Sequence, residues 1–435
     1  MLTIQKKLSG IFYVILGLPS SAMGFALSIQ IAVLSWILRT KYNLEIDQIG
    51  LVWAAGPIAG IIGQPIIGLI SDKVWFWGGR RRPFIIIGGF LAALMILALP
   101  NIDKIDGFLG IGNLMAVAIT VALTLDLSIN ISFNPTRSII ADVTPSGAPR
   151  TKGYTWMQSI SNLLGSGAYL MGALIGNYFL IYAGVFIVFS LSILPLFFIT
   201  EPKVLIADKE EGERVRGEEG RGEEGRGEEG RGTQWGQLFR LYFAHGFSWL
   251  GIQTMFVYMF AFLEQKMTSL SGNELTDRNA LLGQMIGWSF FILNGVGAIW
   301  PAFLLEPLSK KIGRVRTHVI MVASMAVGYF GIVFFAQDAF TLYTMMVILT
   351  LGWAAVVSLP FAIMSEKVDK TRMGFFMGIF NLSVVLPQLV ASLFIGTVIK
   401  NMGDKSIVFI ISGISLAISA ALWILVSDET RRRKI

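Results

Sequence analysis

The sequence predicts an all-α membrane protein: twelve transmembrane helices in two six-helix halves, with both termini cytoplasmic. Three observations carry that prediction. Of the 435 residues, 54% are hydrophobic and only 14% charged, where soluble domains carry about 25% charged residues. The apolar residues gather into twelve runs near the ~20 residues that a helix needs to cross a bilayer. Basic residues cluster in alternate loops. Cysteine is absent and histidine occurs twice, so a disulfide scaffold is excluded and little is left to hold a zinc or iron–sulfur centre. No cofactor and no metal are expected.

In chain order the runs cover 11–38, 46–71, 83–99, 112–142, 151–178, 180–198, 238–263, 281–306, 317–336, 340–364, 373–399 and 406–427. Most are apolar all round, unlike a surface helix of a soluble protein. They are too long for strands and lack period-two alternation. The first follows Lys6 and Lys7. It is longer than a signal-peptide core and no small-residue cleavage site follows, so it reads as an uncleaved first span.

Loop charge sets the orientation. One side carries 20 basic residues outside the central loop, among them Lys73, Arg80–Arg82, Arg150, Lys310, Arg314, Arg316 and the tail Arg431–Lys434. The other side carries seven: Arg39, Lys41, Lys104, Lys266, Arg278, Lys400 and Lys405. The positive-inside rule places the first set in the cytoplasm.

Residues 201–236 form the one long hydrophilic segment, with three copies of Gly-Glu-Glu-Gly-Arg at 217–221, 222–226 and 227–231. Without an apolar face to bury, it is expected to be a disordered cytoplasmic linker. It separates a first half (1–200) from a second (237–435). The linker holds seven basic and 11 acidic residues, so the membrane framework is more positive than the chain's net +7. That excess reports orientation, and no nucleic-acid partner is expected.

The loops after the second and eighth spans look duplicated. The first reads Gly68-Leu-Ile-Ser-Asp72-Lys73, then Gly79-Arg80-Arg81; the second reads Leu308-Ser-Lys310-Lys311-Ile-Gly313-Arg314-Val-Arg316. Together they resemble the cytoplasmic signature of the major facilitator superfamily. The first copy has extra residues before Gly79, and the second has Lys310 where the Asp would stand. More specific are Trp53-Ala-Ala-Gly56-Pro57-Ile-Ala-Gly60, Gln64-Pro65, Ser71-Asp72 and Gly79-Arg80-Arg81-Arg82-Pro83-Phe84-Ile85. With Leu125-Asp126, Asn130, Pro135, Arg137, Ala141-Asp142, and with Leu359-Pro360-Phe361, Asn381-Leu382 and Pro387-Gln388, they are similar to the plant sucrose/proton symporters and their animal relatives. The resemblance implies the major facilitator fold and proton-coupled transport of a sugar, with a disaccharide or glucoside such as sucrose or maltose favoured. In that family an embedded Asp at the position of Asp126 is assigned to proton coupling and sugar contact. One departure bears on the sugar: Met259-Phe260-Ala261 stands where the plant carriers have an acidic string.

The residues themselves point the same way. Asp126 lies midway along the fourth span, where a charge costs at least ~2.5 kcal/mol, so a functional role is the default reading. Arg137 is the other charge within a span. At ~1.5 Å per residue it stands about 16 Å away, close to three helical turns, so the two share a face with Asn130 and Phe133. Pro135 cannot donate to the Ile131 carbonyl and leaves that acceptor free. The stripe offers an acceptor, an amide, an aromatic ring and a fixed cation, which suits a polyhydroxylated ligand. Desolvation favours neutral Asp126, so it can take a proton from outside and release it inside. The alternative for Arg137 is a pair with Asp142 or another cytoplasmic acid that holds the inward-closed state.

Gln64, Gln158, Asn162, Trp249, Gln253, Asn294, Asn381 and Gln388 are expected either to line the cavity or to tie helices together. Asp72, Arg80, Arg81, Arg82 and Asp142 read as a cytoplasmic gate. His245 and His318 are expected to be capping or solvated groups. Gly56/Gly60 and Gly172/Gly176 read as small-residue helix contacts. No nucleophile–base set is visible, so an enzyme is not expected. A uniporter, a Na⁺-coupled symporter or an exporter of amphipathic compounds are the rival transport readings. A monomer is expected, with the bilayer, a sugar and a proton as partners. Short termini without a targeting segment point to the plasma membrane, the inner membrane in a prokaryote.

Overall fold

The computed structural model describes residues 3–145, 147–202, 233–268, 275–368 and 373–428. Most of the 201–236 segment, and the side chains of Gln64 and Asp72, lie outside the described residues. Among the described residues no strand forms; one isolated bridge joins Phe76 and Gly79.

The first half contains α1 (Gly10–Thr40), α2 (Ile46–Trp53), α3 (Ala55–Lys73), α4 (Arg82–Ala98), α5 (Leu114–Val143), α6 (Ala148–Leu174) and α7 (Asn177–Ile193). After the linker come α8 (Trp235–Leu263), α9 (Leu275–Phe291), α10 (Arg314–Phe335), α11 (Ala339–Ser365), α12 (Met373–Val390) and α13 (Ile407–Trp423). Side chains stop the first turns from fraying. The Ser9 hydroxyl accepts from the Phe12 N–H at 3.2 Å, and the Asn113 carbonyl oxygen accepts from Ala116 at 3.1 Å. Asp338 caps α11 through the Thr341 N–H at 2.8 Å, and that bond holds its carboxyl below the usual carboxylate range.

Every one of the twelve runs contains a helix, but not every helix is long or apolar enough to span. Nine among the described residues are, and a bent pair, Leu275–Val296 with Pro301–Ile312, makes a tenth. α6 falls short because Arg150, Lys152, Gln158 and Asn162 interrupt it, and α13 is apolar but 17 residues long. Two breaks have local causes. Pro57 cannot donate to the Trp53 carbonyl, so the second run divides into α2 and α3. In the eighth run, Gly295, Gly297 and Pro301 interrupt the ladder; π-turns form at Ile292–Val296 and Pro301–Leu305 and the helix bends by 41°.

Within the first half α1 packs on α6 and α7, and α5 on α3 and α4; within the second, α10 packs on α11 and α13, and α8 on α12 and α13. Across the halves α6 meets α9, and α3 meets α12. Gly287 permits the first of these contacts, because a Cβ there would stand 2.8 Å from the Ala173 backbone nitrogen.

Hydrogen bonds and ion pairs between the halves are unevenly placed. Those with both partners described lie at the end of the bundle far from the termini. Ser35 donates to the Val257 carbonyl at 2.8 Å, and the Trp36 indole to the Asn279 carbonyl at 2.7 Å. Arg39 pairs with Glu264 at 3.0 Å, and Lys400 with Asp47 at 3.2 Å.

Candidate functional site

At the end that carries the termini the halves part around a cavity of about 560 Å³. α1 supplies Ser20, Gly24 and Ser28; α5 supplies Phe133 and Arg137; α6 supplies Gln158, Ser161, Asn162 and Tyr169. The facing wall is the broken eighth segment, with Asn294, Gly297 and Pro301, and α11, with Trp353 and Ser358. The cavity continues past Arg137, Gln158 and Asn162 into an open recess along Thr151, Tyr154 and Thr155.

Among the described residues, Arg137 is the one charged side chain on that lining. Its guanidinium lies 4.0 Å from the centre of the Phe133 ring, a cation–π contact that fixes its direction. The Tyr154 hydroxyl donates to the Arg137 carbonyl at 3.2 Å and steadies the same turn. The Gln158 amide donates to Asn162 at 2.9 Å, and the Trp353 indole to the Asn294 side chain at 3.3 Å. These bonds hold the amides while leaving each with further donor or acceptor capacity.

Asp126 takes a different place. It is 8% exposed and does not line the cavity. Its Oδ2 accepts from Gln30 Nε2 of α1 at 2.9 Å. Gly56 of α3 faces it, and a Cβ there would stand 3.4 Å from both carboxylate oxygens. The Gln30 side-chain oxygen is buried without a partner. Asn130 turns back to donate to the Asp126 carbonyl at 2.8 Å. The four-residue stripe therefore divides: Phe133 and Arg137 face the cavity, while Asp126 and Asn130 stay inside the wall. The helix carries one face, but α1 and α3 cover its upper part.

Asp142 does not pair with Arg137. It receives Arg81 at 3.0 Å in a pair that is about nine-tenths buried, and Arg81 also donates to Ser71 at 2.9 Å. Glu201 completes this cluster by accepting from the backbone N–H groups of Arg80, Arg81 and Arg82 at 2.7, 2.8 and 2.7 Å. Sequence reading leaves Glu201 in the linker, yet it is buried and caps the start of α4. The second half repeats the arrangement more loosely. Arg314 reaches Glu366, and the Asp428 carboxylate accepts from the Val315 N–H at 3.1 Å.

Other expected positions fall elsewhere. Trp249 donates to His245 at 3.0 Å and Gln253 is buried; neither lines the cavity. Asn381 and Gln388 are half-buried on α12, also off the lining. His245 and His318 are not solvated caps but are 1% and 0% exposed. His245 stacks on Phe380 and His318 packs edge-on to Trp423, because both lie one face inward of the basic loops. Gly56 makes room for Asp126, and Gly60 approaches Val385 of α12. Gly172 packs against Asn177 and Leu180 of the next helix, while Gly176 has φ +118° and forms the turn between α6 and α7. Gln30, Trp353 and Tyr169 are the site residues that sequence reading passed over. The signal for Gln30 was available: a lone amide inside an otherwise apolar run.

A two-sided helical bundle with a polar cavity between its halves, closed at one end and open at the other, defines a multi-pass membrane transporter rather than an enzyme. The chain belongs to the Major Facilitator Superfamily, whose family model matches residues 17–386. It is similar to the sucrose transport protein SUC4 of Arabidopsis thaliana, 23% identical over 87% of this chain and 82% of that protein. It is also similar to the sucrose transport protein SUT2 of Oryza sativa subsp. indica, 22% identical over 79% and 78%. Among solved structures, the inward-open conformation of the xylose transporter XylE from E. coli shares the fold, with TM-score 0.67 and 15% identity over 96% of each chain.

Proposed function

We propose that the protein is a proton-coupled sugar symporter working by alternating access between two six-helix halves, with both termini cytoplasmic in the plasma membrane. A disaccharide or glucoside such as sucrose or maltose is the favoured substrate. The observation that carries the reading is α1. This one helix lines the cavity through Ser20, Gly24 and Ser28, binds Asp126 through Gln30, and closes the far end through Ser35, Trp36 and Arg39. Substrate, coupling group and closure therefore meet on a single rigid element.

The chemistry follows from the contacts. As an anion, Asp126 accepts from the Gln30 amide. When neutral it becomes a donor, and the partnerless Gln30 oxygen is the acceptor within reach. Taking up a proton thus changes the bond between α5 and α1 and neutralises the carboxylate in the bilayer core. The sugar docks on the open side, its hydroxyls on Arg137, Gln158, Asn162 and Asn294 and its C–H face on Phe133 or Trp353. Loss of both proton and sugar toward the cytoplasm returns α1 to the alternative in which the far-end ties break. The similarity to sucrose transport proteins supports a sugar as cargo. The test is uptake into proteoliposomes of a sugar panel under imposed pH and Na⁺ gradients. Accumulation of a disaccharide with the pH gradient alone is expected; accumulation with Na⁺ alone, or none with either, contradicts coupling to protons.

A further inference from the structure

Trp353 lines the cavity from α11 and is held there by three contacts. Its indole N–H donates to the Asn294 side chain at 3.3 Å, and Asn294 in turn donates to the Phe290 carbonyl at 3.0 Å. Phe256 of α8 lies 5.4 Å away between ring centres. The third contact is Trp249, two turns before Phe256 on the same face of α8. Its ring meets Trp353 edge to face, 6.1 Å between centres at 78°.

Trp249 does not line the cavity, and its own direction is set by His245. Its indole N–H donates to His245 Nε2, one turn earlier on α8, at 3.0 Å. A Trp indole is a donor only, so inside an apolar bundle it needs an acceptor that brings no charge, and neutral imidazole is one. Accepting at Nε2 leaves the proton of the neutral ring on Nδ1, which is buried without a partner. The imidazole is 1% exposed and lies nearly parallel to Phe380 of α12, 5.0 Å between centres at 15°. Two helices thus hold the plane of the ring whose one hydrogen bond reaches Trp249.

We propose that His245 is a positioning residue for the substrate: through the Trp249 indole it fixes the orientation of Trp353, the ring on which the C–H face of the sugar rests. The effect on the sugar rests on the transport reading; the alignment of Trp353 does not. The rival is a packing role alone, in which an apolar side chain would serve as well as His245.

The test has two arms. In the first, the full protein in lipid nanodiscs carries nitrogen-15 at its imidazole and indole nitrogens. With two histidines in the chain, the imidazole spectrum holds two rings. His245 should show a protonated Nδ1 and a bare Nε2, and Trp249→Phe should shift that Nε2 signal. His245→Leu should displace the Trp353 indole signal, identified by its loss in Trp353→Phe. His245→Gln keeps an acceptor and should return the signal. In the second arm, sugar uptake gives KM and the maximal rate. His245→Leu should raise KM about fivefold with the maximal rate within about twofold, and His245→Gln should recover most of the loss. In a Trp249→Phe background His245→Leu should change KM no further. A proton on His245 Nε2 in the wild type overturns the proposal without any variant. So does a Trp353 signal that His245→Leu leaves unmoved, or an undiminished KM shift in the Trp249→Phe background. A displaced Trp353 signal with no sugar transported supports the positioning role and refutes sugar as the cargo.

Discussion

Asp126 and Arg137 stand on the same helix at a spacing of three turns, and their surroundings are opposite. Arg137 projects into the cavity over the Phe133 ring, free of any ion pair among the described residues. Asp126 is sealed between α1 and α3 with its carboxylate bonded to Gln30, and neither residue lines the cavity. The difference separates two tasks that a shared stripe would have merged. In the proposed function, substrate recognition belongs to the open end of the stripe and coupling to its covered end, with α1 linking the two.

The largest effect that could break this division is at Arg137. Arg137→Ala should reduce both sugar exchange and accumulation by about 100-fold, the loss of ~3 kcal/mol of charged hydrogen bonding to substrate. Equilibrium exchange of radiolabelled sugar measures it. Unchanged exchange would move recognition away from α5. A smaller and more selective effect is expected at Gln30. Gln30→Leu removes the donor to Asp126 but no cavity contact, so the accumulation ratio should fall several-fold while exchange stays within about twofold. Equal losses in both assays would mean that the wall does not divide the tasks.

The smallest effect sharpens the role of α1 in closure. Arg39 and Glu264 are both partly exposed, so their pair is worth only ~0.2–1 kcal/mol. Arg39→Glu should shift the population toward a far end that is open, and adding Glu264→Arg should restore it. The chain has no Cys, so a single cysteine placed at Asn279 reports the shift by its labelling rate. Labelling that ignores both substitutions would remove the pair from the closure.

Much of this organisation was legible beforehand, for physical reasons. Apolar runs must be helical in a bilayer, so the element order followed from hydropathy. Arg137, Gln158 and Asn162 stood out because polar groups in such runs are costly, and Phe133 because it shares the stripe of Arg137. What could not be read was which neighbour covers which face. Asp126 and Asn130 share the stripe of Arg137, and it is the approach of Gln30 and Gly56 that hides Asp126, while Gly63 packs on Asn130. Glu201 lies 119 residues beyond Arg82 and caps it through a contact that local sequence does not encode. The histidines were misplaced because a basic loop nearby suggests solvent, whereas the aromatic rings of Phe380 and Trp423 enclose them. Asn294 was a candidate for the cavity wall and lines it, but the break beside it at Gly295, Gly297 and Pro301 was not read from the sequence.

The most direct test of the central claim is Asp126→Asn in proteoliposomes, with accumulation under an imposed pH gradient and sugar exchange at equal pH measured on the same preparation. Asn keeps the size and a hydrogen bond to Gln30 but cannot cycle a proton. Accumulation should vanish while exchange persists within about tenfold of wild type. Uphill, pH-driven uptake retained by this variant would contradict Asp126 as the coupling group.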